Sequence, residues 1–252
     1  MKIGLFDSGI GGLTLLEEAL RQRPGSEYLF YADEDHVPYG LRSREEIMQF
    51  SEDAVRFLIA QGCECVVLAC NTATAVAAET LRARYSIPIV GIEPAVKSAM
   101  AHHADKRVLV VATPVTIRGE KLHRLIGRFE DHDAVDLCPL PELVSMAERE
   151  DYAALPYLQR ALAAYEPTQY SEIVLGCTHF NYFKDSFRRL FPEAEIVDGA
   201  EGTIRRMCSL LPTETAAASS VIFYSSGREI TDEISLSALW RRMYRLRYMR
   251  AL

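Results

Sequence analysis

Short apolar runs alternate with longer amphipathic stretches along the whole chain. Lys2–Phe6, Tyr28–Tyr31, Cys65–Ala69, Ile87–Gly91, Arg107–Ala112, Val135–Leu137, Ile173–Gly176, Glu195–Val197 and Val221–Tyr224 are brief and nearly continuous in apolar character. That is the pattern of strands buried on both faces. Between them lie segments with helical spacing: Gly11–Gln22, Ala73–Tyr85, Pro94–Ala101, Thr116–Arg128, Glu142–Arg149, Leu155–Ala164 and Tyr182–Leu190. Ser43-Arg44-Glu45-Glu46 is a capping box that opens a further helix to about Gln61. Two more helices start near Thr203 and Asp232. Strands alternating with helices predict an α/β fold with mainly parallel sheets, each covered on both sides.

The pattern also repeats. Val66-Val67-Leu68-Ala69-Cys70-Asn71-Thr72 is echoed by Ile173-Val174-Leu175-Gly176-Cys177-Thr178-His179, an offset of 107 residues from Cys70 to Cys177. Ile89-Val90 and Ile196-Val197 keep that offset, and Lys2–Ser8 matches Arg107–Thr113 at an offset of 105. Three strands repeated at nearly one spacing point to a duplicated α/β unit. Any two buried parallel strands share Val/Ile runs. That similarity does not explain why both runs end in a small residue, Cys, then Asn or Thr.

A chain of 252 residues is long enough for one large or two small domains, and 49% hydrophobic with 25% charged residues is ordinary for a globular protein. A formal net charge of −7 argues against a general nucleic-acid binder. No apolar run reaches the roughly 18 residues needed to span a bilayer. The N-terminal segment lacks the core and cleavage site of a signal peptide, so no membrane association and a cytoplasmic location are expected. Six cysteines in a reducing compartment read as buried fillers, catalytic groups or metal ligands rather than a disulfide framework. Cys63-Glu64-Cys65 has no second Cys pair or nearby His, so no metal site is expected. C-x-x-C, the mark of a thiol redox protein, is absent. Arg241, Arg242, Arg245, Arg247 and Arg250 give the last helix a basic face, which reads first as a solvated one.

In parallel sheets, ligands collect at the carboxyl ends of strands, where loops meet helix N-termini. The candidate chemical groups lie at such ends: Asp7-Ser8, Cys70-Asn71-Thr72, Thr113 and Cys177-Thr178-His179. If the two units face each other about a pseudo-twofold axis, Cys70 and Cys177 confront one another across one cleft. Racemisation removes a proton from one face of a tetrahedral carbon and returns one to the other, so it calls for a base and an acid on opposite sides. A free thiol ionises near pH 8.5, lower at a helix N-terminus or beside a cation, so both thiols are expected to reach the thiolate near neutrality. Asp7 and His179 are placed to move their protons. Taken singly, each Cys would pass as a small buried filler. Asp7-Ser8-Gly9-Ile10-Gly11-Gly12 fits neither the dinucleotide nor the P-loop glycine pattern, but its N–H groups can hold a carboxylate. Val37-Pro38-Tyr39-Gly40 is a Pro/Gly loop that can offer backbone donors to a second one.

On IGLFDSGIGGLT, VPYG, ACNTAT, VLVVATPVT, LGCTHF, VDGAEGT and FYSSG, in this order over nearly the whole chain, the sequence resembles the aspartate/glutamate racemase superfamily, and within it the glutamate-specific branch. The resemblance implies interconversion of L- and D-glutamate without pyridoxal phosphate, metal or other cofactor, supplying D-glutamate for peptidoglycan. It implies that Cys70 deprotonates D-glutamate and Cys177 L-glutamate, assisted by Asp7 and His179. Asp7, Ser8, Tyr39, Gly40, Asn71, Thr72, Thr178 and His179 would line the substrate, with Thr113 and Glu148 as further candidates. It also implies a first domain of 1–94 plus 204–252, a second of 95–203, closure of the substrate between them, and a homodimer. Ala32-Asp33-Glu34 and Phe180-Asn181-Tyr182 depart from the common family pattern beside the cleft. The alternatives are an aspartate or related diacid racemase or isomerase of the same superfamily and, from another class, a nonenzymatic partner-binding module.

Overall fold

Among the described residues the nine apolar runs form nine strands, β1 (Lys2–Asp7), β2 (Glu27–Ala32), β3 (Cys65–Leu68), β4 (Ile89–Gly91), β5 (Arg107–Ala112), β6 (Val135–Pro139), β7 (Tyr170–Leu175), β8 (Glu195–Asp198) and β9 (Ser220–Ser225), and a short charged strand, β10 (Arg228–Glu229), follows the last. The structure, a computed structural model, describes residues 1–212 and 218–251. The strands lie in two sheets, ordered β10-β9-β2-β1-β3-β4 and β6-β5-β7-β8. Every pairing is parallel except β9 with β10. The central strands are buried on both faces, which is why they read as continuous apolar runs rather than alternating ones.

The echo survives in three dimensions. The order β2-β1-β3-β4 is repeated as β6-β5-β7-β8. Phe6 lies opposite Leu68 as Val111 lies opposite Leu175, and Val66 opposite Ile89 as Ile173 opposite Ile196. The residue before each candidate cysteine is held alike. Ala69 N–H donates to the Phe6 carbonyl at 2.7 Å, and Gly176 N–H to the Val111 carbonyl at 2.7 Å. Unrelated parallel strands would have no reason to share order, register and terminal hydrogen bond.

Three cores hold the layers. Helices Arg44–Ala60 and Asn71–Arg84 bury Ile47, Val55, Leu58 and Leu81 on one face of the first sheet. Helices Val96–His102 and Glu120–Ile126 cover one face of the second. The largest core is shared. It joins helices Leu13–Gln22, Ala200–Leu210 and Glu233–Ala251 on the first sheet to Glu142–Glu148, Leu155–Ala161 and Lys184–Leu190 on the second. The C-terminal helix has no counterpart in the repeat and breaks its symmetry. No described helix is long and apolar enough to cross a membrane.

The structure departs locally from the expected elements. The helix expected over Thr116–Arg128 is two helices, Pro114–Arg118 and Glu120–Ile126, because Gly119 is extended (ψ 130°) between them. It starts early because Thr113 caps the Thr116 N–H and Pro114 occupies the first turn. Thr178–Phe183 is a 3-10 helix that delays the following α-helix to Lys184. Strand β10 was not expected; Ser226 (φ 44°) and Gly227 (φ 82°) form the two-residue turn that creates it.

The two units meet at Gly199, just beyond β8, where a Cβ would fall 2.1 Å from the Glu93 carbonyl oxygen beyond β4. Backbone cannot yield there as a flexible side chain can. Gly199→Ala should cost about 1–3 kcal/mol, read as a lower urea midpoint with unchanged slope.

Candidate active site

The carboxyl ends of β1, β3, β5 and β7 converge where the two sheets face each other. Side chains from the two halves touch directly. The Thr178 hydroxyl donates to Asp7 Oδ2 at 3.1 Å. Glu148 Oε1 accepts the Ile10 N–H at 3.0 Å. Thr72 and Thr113 hydroxyls are 2.9 Å apart, with the Thr116 hydroxyl 3.0 Å from that of Thr113. A Cβ on Gly11 would lie 2.4 Å from Thr178 Oγ1 and 2.5 Å from His179 Nδ1, so only glycine lets the two strand-end turns approach this closely. Gly40 lies against Thr113, closing the Tyr39–Gly40 turn over the same place.

Both cysteines sit inside this closure, at 5% and 6% exposure for Cys70 and Cys177. Their surroundings differ. Cys70 is the N-cap of helix Asn71–Arg84, accepts the Ala73 N–H at 3.4 Å, and lies 3.5 Å from Ser8 Oγ. Burial, then the nearby Asp7 carboxylate, push its thiol up to about 12, and Cys177 is close enough to add to that push. Cys70 therefore stays protonated at neutral pH. This corrects the expectation of a readily formed thiolate there: the helix N-terminus is outweighed by desolvation. Cys177 Sγ instead lies 3.9 Å from His179 Nδ1, and His179 Nε2 lies 2.6 Å from Glu148 Oε1. Burial alone would lower the imidazole, but its contact with Cys177 and the Glu148 carboxylate carry it well above the ordinary value. Burial would likewise raise Glu148, but the His179 contact, the Ile10 N–H and Arg242 hold it below the usual range. One sulfur is thus paired with an imidazolium and the other is a buried neutral thiol.

Asp7 is fully buried and accepts from the Gly9 N–H at 3.0 Å as well as from Thr178. Burial raises its carboxyl to about 6, against the opposing pull of His179, Gly9 and Thr178. Asn71 is 5% exposed, and both its amide nitrogen and oxygen lack a hydrogen-bond partner among the described residues. An orphaned buried amide is costly, so it marks a place shaped for a polar ligand.

All the expected residues are gathered here: Asp7, Ser8, Tyr39, Gly40, Asn71, Thr72, Thr113, Glu148, Cys177, Thr178 and His179 around Cys70. Sequence reasoning missed Thr116 and the function of Asp33. Buried Asp33 accepts the Tyr39 hydroxyl at 2.5 Å, contacts His36 Nδ1 at 2.8 Å and accepts the Ser226 hydroxyl at 3.1 Å, anchoring the turn that covers the site. Its signal was its place directly after β2, beside Asp7, whose carbonyl its N–H reaches at 3.0 Å. A groove of about 1540 Å³ between β4, β8 and helix Ala200–Leu210 is not this site; neither cysteine, Asp7 nor His179 lines it.

The fold is a parallel α/β duplication with a thiol at each of two equivalent strand ends, and the sequence profile of the Asp/Glu/Hydantoin racemase family matches residues 8–207. The chain belongs to that family. It is 46% identical over 263 residues to the glutamate racemase of Lachnospira eligens, covering 99% of each chain. It is also 46% identical to that of Campylobacter concisus, covering all of both. Among solved structures it resembles Escherichia coli glutamate racemase in complex with L-glutamate and the activator UDP-MurNAc-Ala. There the TM-score is 0.82 at 28% identity, over 96% of this chain and 94% of that one. The Francisella tularensis enzyme in complex with D-glutamate aligns with TM-score 0.81 at 25% identity, over 96% and 93%.

The Asp7 carboxyl gives a stability test. Its folded value near 6 exceeds its ordinary value of 3.8, so its contribution is fully present below about pH 4 and is lost as pH rises through 6. Asp7→Asn, which cannot ionise, should unfold at higher urea than wild type at pH 7.5, by up to about 3 kcal/mol. That advantage should shrink toward zero below about pH 4.

Proposed function

We propose that this protein interconverts L- and D-glutamate by a two-base mechanism in which Cys177 and Cys70 serve opposite faces of the substrate α-carbon. For L-glutamate, the Cys177 thiolate takes the α-proton while the Cys70 S–H delivers its own proton to the other face. The product is D-glutamate, with Cys70 as thiolate and Cys177 as thiol; the reverse turnover restores the starting form. The observation that carries this reading is the pair of cysteines at equivalent strand ends, Cys177 3.9 Å from a His179 that meets Glu148 and Cys70 at a helix N-cap beside Ser8. One sulfur is equipped as base and the other as acid, which is what a first turnover from L-glutamate requires.

His179 balances the negative charge of the Cys177 thiolate and holds the proton during turnover. Asp7 and Ser8 serve Cys70. Asn71, Thr72, Thr178 and the turn at Tyr39–Gly40 bind the carboxylates and the ammonium group, and Thr113 closes against Thr72. Substrate enters when the Thr72–Thr113 contact parts. The moving bodies are residues 1–94 with 204–252, and 95–203. The reaction needs no cofactor, because the protons travel between sulfur and carbon. The resemblance to glutamate racemases over the full chain supports glutamate over aspartate, and the presence of both thiols argues against a nonenzymatic binding module. A cytoplasmic homodimer supplying D-glutamate for peptidoglycan fits the same resemblance.

Circular dichroism of L-glutamate incubated with the enzyme should decay to zero ellipticity, and neither chelator nor carbonyl reagents should slow it. Cys70→Ser and Cys177→Ser should each reduce racemisation to background. Full turnover by either variant would refute the two-base scheme.

A further inference from the structure

The basic helix Glu233–Ala251 is only in part the solvated face that its arginines suggest: Arg241, Arg247 and Arg250 stay largely exposed. Two of them turn inward. Arg242 Nη2 donates to the Glu148 carbonyl at 3.1 Å, and its Nε lies 3.4 Å from Glu150 Oε1. Arg245 donates through Nε and Nη2 to the Tyr182 carbonyl at 3.3 and 3.0 Å and lies 3.9 Å over the Tyr152 ring. These two carbonyls are not arbitrary. Glu148 ends helix Glu142–Glu148 and carries the carboxylate that meets His179. Tyr182 belongs to the 3-10 helix Thr178–Phe183 that carries His179 itself. Arginines three apart on one helical face therefore grip the two segments whose side chains make the 2.6 Å contact.

The grip is one-sided. The described contacts of Arg242 and Arg245 reach segments flanking Cys177 and His179, and none reaches Cys70 or Ser8. Loosening it would let the carboxylate withdraw from a fully buried imidazole, and burial would then drive that imidazole toward its neutral form. The titratable and charged groups that face the pair are Cys177, Asp7, Arg242 and the Tyr182 phenol.

We propose that Arg242 is a positioning residue for the His179–Glu148 pair, with Arg245 fixing the opposite wall of the same seat. The guanidinium touches no reacting atom. It acts by fixing where the Glu148 backbone stops, and so where its carboxylate stands. The inference rests on the two-thiol reading for its effect on turnover, and on geometry alone for its effect on His179.

The test uses the full-length enzyme with nitrogen-15 labelled histidine, His179 being assigned by its absence from His179→Asn. Arg242→Gln should lower the His179 titration midpoint measured by NMR. It should reduce kcat on the order of tenfold with KM within about twofold, and move the basic limb of the kcat profile to lower pH. Loss of the arginine charge without loss of position would move the midpoint upward, so the sign separates the two causes. Arg242→Lys, which keeps the charge and one donor, should recover part of both effects. Arg247→Gln breaks a contact of the same helix with Glu17, away from the site, and should leave both unchanged. An unmoved or raised His179 midpoint in Arg242→Gln, or equal losses in Arg242→Gln and Arg247→Gln, would overturn the proposal. Absence of glutamate turnover by wild type would instead sink the catalytic reading and leave the titration to decide the positioning.

Discussion

The architecture depends on one constraint: two sulfurs must leave equivalent central strands at the same height and face a shared space. The fold meets it through backbone register. Ala69 and Gly176 make the same hydrogen bond to the neighbouring strand, so Cys70 and Cys177 emerge one residue later in the same relation to their sheets. Side-chain packing alone is adaptable, whereas a parallel ladder fixes position along the strand and which face each residue takes. The small residue before each cysteine belongs to the same requirement, since it lies fully inside the ladder.

The duplicated frame is symmetric and the chemistry mounted on it is not. On one side a thiol is capped by a helix N-terminus, touches Ser8 and is kept neutral by burial and by Asp7. On the other, a 3-10 helix replaces the α-helical turn and brings His179 between sulfur and carboxylate. The C-terminal helix, absent from the repeat, bridges helix Leu13–Gln22 on the first side and the segment carrying His179 on the second, extending the shared core across both sheets. Two like side chains at equivalent strand ends are thus given different surroundings by their neighbours, not by their own identity.

Much of this was legible in the sequence because it depends on local pattern. The strands are apolar runs, the helix Arg44–Ala60 is announced by its capping box, and the repeat is visible from Cys70-Asn71-Thr72 and Cys177-Thr178-His179. Glu148 was reachable only through resemblance, for nothing in Leu143–Glu148 distinguishes a buried acid from a solvated one. What stayed hidden is set by long-range packing. Gly119 breaking a helix, Asp33 anchoring Tyr39, the inward turn of Arg242 and Arg245, and the desolvation of Cys70 all depend on which segments meet in space. Arg242 and Arg245 read as part of a solvated face until residues 148–150 and 182 are placed beneath them.

The central claim is that one α-carbon lies between both sulfurs. A crystal structure of the enzyme with glutamate bound tests it most directly. The account predicts the α-carbon within about 3.5 Å of Cys70 Sγ on one face and of Cys177 Sγ on the other, the separation of reacting atoms poised for transfer. Glutamate bound with both sulfurs on one face, or with only one of them within reach, would contradict it.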